Sequence, residues 1–216
     1  MFVVLGIPVF IGTFFAVRLC LAQVTDTNAP LLMIPQFAGQ AAMLVPLAFA
    51  FRAKYERSLL SALRLGVTAQ QIPISLLAGI AVAFGVVVIA AAMQTPEVPS
   101  PMQDLMNDPK SAPWVAVFAV SIGPVFEEIL FRGILQPVAM RSFGLGLGIV
   151  LSALPFALLH GPQYAWSWRH VLLILVAGSA FGWWRVRSES TGASSLMHAA
   201  YNAVLLIGYF LGKSAL

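Results

Sequence analysis

The chain has 216 residues, of which 60% are hydrophobic and 9% charged, with a formal net charge of +4. A soluble domain carries about a quarter charged residues, so this composition excludes a water-soluble globule. The small positive charge calls for no nucleic-acid partner, because basic residues gathered at one membrane face beside anionic lipid account for it.

The apolar residues run in blocks of about 20, the helix length that crosses a hydrocarbon layer about 30 Å thick. They predict an all-α polytopic transmembrane bundle of about seven spans (six to eight), at about 2–23, 31–51, 73–94, 114–138, 145–163, 170–187 and 194–212. The whole of 1–216 reads as a single integral membrane domain, with N-terminal helices over 1–94 and a core that carries the chemistry over 114–212. The first block lacks a basic start and a clear small-residue cleavage site before Asp26, so it is read as a helix rather than a signal peptide. Cys20 is the only cysteine, which rules out an internal disulfide and a cysteine-rich metal site.

After the second span, residues 53–72 place Leu59, Leu60, Leu63 and Val67 at helical spacing beside Lys54, Arg57 and Arg64, a pattern suited to the inner membrane surface. Residues 95–113 hold five prolines with Glu97, Asp104 and Asp108, and predict an irregular external loop. Gly6 with Gly12, Gly144 with Gly148, and Gly178 with Gly182 lie among apolar residues and predict close helix packing. Arg52, Lys54, Arg57, Arg64, Arg132, Arg141, Arg185 and Arg187 fall on one side of this map; Arg18, Lys110, Arg169 and Lys213 fall on the other. Basic residues stay inside, which predicts a cytoplasmic N-terminus.

Six of the eight acidic residues lie in loops or at span ends; Glu127 and Glu128 lie within the fourth span. An ionisable group there costs on the order of 3 kcal/mol and marks function or an internal pair. Arg132 follows Glu128 by four residues, so the two share a helix face and can pair, while Glu127 is turned about 100° away. This separates a structural carboxylate, Glu128, from a candidate general base, Glu127. His160 closes the fifth span and His198 opens the seventh. Asn202 shares a face with His198, and Phe156 with His160, whereas His170 beside Arg169 reads as a solvated interface residue. One interior site built from three helices follows, on condition that the fourth and fifth spans extend, tilt or shift by a turn. Straight helices would leave Glu127, His160 and His198 at different depths.

The strings Glu127-Glu128-Ile-Leu-Phe-Arg132, Phe156-Ala-Leu-Leu-His160 and His198-Ala-Ala-Tyr-Asn202 resemble the three motifs of the CAAX protease and bacteriocin-processing family, also called the Abi family, in its order and spacing. The resemblance covers about residues 114–212. It implies a glutamate-dependent intramembrane endopeptidase acting on a peptide or protein substrate at a prokaryotic cell membrane. In that reading Glu127 activates water with His160, His198 and Asn202 stabilise the oxyanion, and Glu128, Arg132 and Phe156 support them.

The resemblance favours catalysis without a cofactor, although two carboxylates and two histidines also suit a divalent ion. A serine route through Ser179 and His198 lacks the glycine expected after the serine, and there is no His-Glu-x-x-His zinc motif or membrane aspartate pair. The remaining alternatives are a membrane binding or bacteriocin-immunity protein using the same polar cluster, and a proton-coupled transporter. The sequence is silent on oligomeric state.

Overall fold

The computed structural model describes residues 29–214, and every regular element among them is helical. In chain order these are α1 (Ala29–Tyr55), α2 (Leu59–Leu63), α3 (Gln71–Ala92), α4 (Pro101–Asn107), α5 (Ala112–Val120) and α6 (Ile122–Glu128). A π-helical segment (Ile129–Leu135) follows, then α7 (Gln136–Phe143), α8 (Leu145–Leu159), a 3-10 turn (Gly161–Tyr164), α9 (Trp168–Ser188) and α10 (Thr191–Ser214).

Among the described residues, four stretches are long and apolar enough to cross a membrane: Gln71–Ala92, Ala112–Phe143, Trp168–Ser188 and Thr191–Gly212. They correspond to the third, fourth, sixth and seventh predicted spans. The second falls inside α1. The first lies outside the described residues, with Arg18, Cys20 and the Gly6/Gly12 pair. The fifth is shorter than expected, because α8 stops at Leu159 in front of Gly161 and Pro162 and is only 15 residues long, about 22 Å.

The described residues divide into two compact units, 29–63 with 104–115 and 64–103 with 116–214. In the first unit α1 packs on α2. The inner-surface helix expected over 53–72 is reduced to the five residues of α2, since Arg64 takes a left-handed φ of 51° and ends it. The proline-rich loop is likewise less irregular than expected: α4 forms within it. Asp108 after α4 accepts from the amides of Lys110 and Ser111, and its carboxyl is held below the usual range, chiefly by the hydrogen bond from the Ser111 side chain.

The second unit is built inside out relative to a soluble bundle. Along α3 the buried face is Ser75, Gly79, Ala83 and Val86, while Leu77, Phe84 and Val88 point outward. Lipid is as apolar as leucine, so small residues that let backbones approach, rather than large apolar ones, form the interface. Gly79 shows how close that approach is: a Cβ there would stand 2.1 Å from the carbonyl oxygen of Met197 on α10, next to His198. Backbone cannot yield as a side chain can. Gly79→Ala is therefore expected to destabilise the protein by about 1–3 kcal/mol through overpacking, measurable as a lowered unfolding midpoint in detergent. The core of the unit comprises Ala83, Val86, Phe131, Phe156, Leu173, Ala177, Phe181, Met197 and Tyr201.

Candidate active site

The fourth predicted span is not one regular helix, and its interruptions place the acidic pair. Pro124 has no N–H for the carbonyl of Val120, and its ring crowds that carbonyl. The chain accordingly breaks at Ser121 (φ −132°, ψ −89°), between α5 and α6. The break frees the Ala119 carbonyl from the helical ladder, and Asn202 of α10 takes it up, its Nδ2 donating at 2.8 Å. A freed backbone group at membrane depth needs such a partner from a neighbouring helix. Immediately after Glu128 the backbone passes into the π-helical segment, a local irregularity that recurs at functional sites.

Glu128 is fully buried, as is Arg132. Arg132 Nη1 lies 3.0 Å from Glu128 Oε1, and its Nη2 donates to the Gly178 carbonyl at 2.8 Å. The guanidinium also sits over the Phe156 ring, 4.6 Å from its centroid, a cation-π contact that favours a desolvated cation. One turn on, Gln136 Nε2 donates to the Gly182 carbonyl at 2.9 Å. The Gly178/Gly182 pair thus serves packing, as its spacing predicts. A Cβ on Gly178 would come within 2.9 Å of Phe156 and 3.0 Å of Arg132, and one on Gly182 within 2.7 Å of Gln136.

Glu127 points away from this pairing, toward both histidines. His160 Nε2 is 4.0 Å from Glu127 Oε1, and His198 Nε2 is 3.7 Å from Glu127 Oε2. The predicted convergence holds because α8 ends one residue before His160, which occupies its C-cap and faces Glu127. The Glu127 side chain is 29% exposed and that of His160 22%, against 4% for His198.

Both imidazoles are oriented through Nδ1. His160 Nδ1 lies 2.8 Å from the Phe156 carbonyl, which can only accept, so Nδ1 carries a proton. His198 Nδ1 lies 3.2 Å from Glu128 Oε1 and donates to that carboxylate. Phe156 supports both rings, with centroids 4.7 Å from His160 and 5.7 Å from His198, and Phe181 stacks on His198 at 4.4 Å. Each histidine therefore presents Nε2 to the same carboxylate.

Two further buried groups belong to this assembly: Ser194, whose Oγ is 2.6 Å from Glu128 Oε2, and Gln136. Both were detectable as members of four-residue stripes, Glu128-Arg132-Gln136 and Ser194-His198-Asn202. A lone serine or glutamine draws little notice in a membrane helix. His170 departs from expectation. It lies in the first turn of α9, its ring stacks on Tyr164 at 4.7 Å, and its Nδ1 is buried rather than solvated.

Two carboxylates with separate environments, two imidazoles aimed at one of them and an amide on the same helix face suit proton transfer at a carbonyl. The family model described as type II CAAX prenyl endopeptidase Rce1-like matches residues 109–204, a stretch that contains all three motifs. No curated protein and no solved structure matches the chain. With its membrane-length helices, the chain is a membrane protein, and its residues 109–204 are similar to the Rce1-like type II CAAX prenyl endopeptidases.

Proposed function

We propose that this protein is a multi-pass endopeptidase of a prokaryotic cell membrane, N-terminus cytoplasmic, that hydrolyses a peptide bond of a membrane-associated protein or peptide by glutamate-dependent water activation. The observation that carries the reading is the placement of Glu127 between two imidazole Nε2 atoms, at 4.0 and 3.7 Å. A water about 2.8 Å from both Glu127 Oε1 and His160 Nε2 donates one hydrogen to each acceptor, which leaves a lone pair free to attack.

As the O–C bond forms, the carbonyl π pair becomes the oxyanion and one water proton passes to Glu127. His198 Nε2, 3.7 Å from Glu127 Oε2 in the resting site, receives that proton once the pair closes to hydrogen-bond distance, and the resulting imidazolium donates to the oxyanion. Asn202 retains one amide hydrogen beyond the one given to Ala119 and contributes it to the same oxygen. Collapse breaks the C–N bond, and the proton goes to the leaving amine.

The donor set favours this route over one through a divalent ion. Both oxygens of Glu128 are engaged by Arg132, His198 and Ser194, which leaves that carboxylate no free position for an ion.

The test uses purified protein in bilayers, with a farnesylated CAAX peptide and a pool of membrane-anchored peptides as probes and mass spectrometry of new termini as readout. Wild type is expected to cleave, and His160→Gln to lose about a hundredfold in kcat with KM little changed. Cleavage equal in the two proteins would remove His160 from the chemistry. Absence of cleavage by the wild type, together with an unchanged cellular phenotype in Glu127→Gln, would favour a binding or immunity protein.

A further inference from the structure

Ser194 is fully buried on α10, one turn before His198 and two before Asn202, and nothing in the proposed chemistry uses it directly. Its Oγ lies 2.6 Å from Glu128 Oε2 and 3.0 Å from the Phe181 carbonyl. A hydroxyl has one hydrogen to give, and the shorter, charge-assisted bond to the carboxylate takes it. Glu128 is thereby held at both oxygens: Ser194 on Oε2, Arg132 Nη1 and His198 Nδ1 on Oε1, at 3.0 and 3.2 Å.

We propose that Ser194 is a positioning residue that sets the tautomer of His198. By fixing the plane of the Glu128 carboxylate it keeps Oε1 as acceptor of the Nδ1 proton, so that Nε2 faces Glu127 as the nitrogen able to receive a proton. Without the hydroxyl, Glu128 retains only the His198 hydrogen bond and the Arg132 ion pair, both on Oε1, and can rotate about its terminal torsion, which is soft. The Nδ1–H bond then weakens, and the alternative tautomer, with a proton already on Nε2, blocks transfer from Glu127. The adjacent Ser195 is the natural control: it is also buried, but its hydroxyl is spent on the Thr191 carbonyl at 2.9 Å.

This inference rests on the proposed role of His198 in proton transfer, and two readouts keep the claims apart. The chain has three histidines, so 15N-histidine labelling in bilayers gives three imidazole spin systems that single His→Gln variants assign. Ser194→Ala is expected to redistribute the His198 proton from Nδ1 toward Nε2 and to lower kcat about tenfold with KM held. Ser195→Ala should change neither. A His198 Nδ1–H signal that is the same in Ser194→Ala and wild type overturns the proposal, whatever the activity does. If the wild type cleaves none of the probes, the proteolytic reading fails, while the tautomer measurement still decides the part played by Ser194.

Discussion

Glu127→Gln is expected to abolish peptide hydrolysis, lowering kcat by about a thousandfold or more, while leaving the protein folded. The general base contributes up to about four orders of magnitude in such reactions, and an amide oxygen cannot take a proton from water at neutral pH. The substitution is nearly isosteric at a partly exposed side chain, and Glu127 lacks the short ion pair that secures Glu128. The glutamine amide can moreover donate to His160 or His198 Nε2, both of which present acceptors toward it. Kinetics on the peptide probes, paired with an unfolding curve in detergent, separates the two effects. A variant that loses folding along with activity would recast Glu127 as structural, and one that keeps both would end its role as base.

The contrast between these two adjacent glutamates was legible in the sequence because it depends on a local relation, Arg132 four residues after Glu128. The membership of the site was legible for the same reason: His160, His198 and Asn202 are polar groups in apolar helices, where each carries a desolvation cost. What the spacing did not supply was convergence. Ideal straight helices separate the three depths. The site closes through features with only partial local signals, namely the break at Ser121 ahead of Pro124, the π-helical segment after Glu128 and the early end of α8 before Gly161 and Pro162. Asn202 shows the same limit. Its placement on the face of His198 follows from the spacing, but its bond to Ala119 arises only because a helix elsewhere in the chain is broken. Tautomers were equally out of reach, since they follow from which acceptor each Nδ1 meets.

The largest effect on stability is expected at Arg132. Arg132→Met keeps most of the side-chain volume but leaves Glu128 buried with no cation beside it, and removing one partner of a buried pair costs about 3–5 kcal/mol. The loss extends beyond Coulomb attraction: the Gly178 carbonyl loses its donor, and the contact over the Phe156 ring disappears. Replacing both partners, as in Glu128→Leu with Arg132→Met, removes the stranded charge and should recover much of the stability. It should not recover activity, because His198 Nδ1 and Ser194 Oγ both lose the carboxylate that receives their hydrogens. Unfolding midpoints of the two single variants, the double variant and wild type form a thermodynamic cycle whose coupling energy measures the pair directly. A coupling near zero, or an Arg132→Met midpoint equal to that of wild type, would mean that Glu128 is not held as a buried anion. The fixed orientation of His198, and with it the division of labour between the two glutamates, would then need another physical basis.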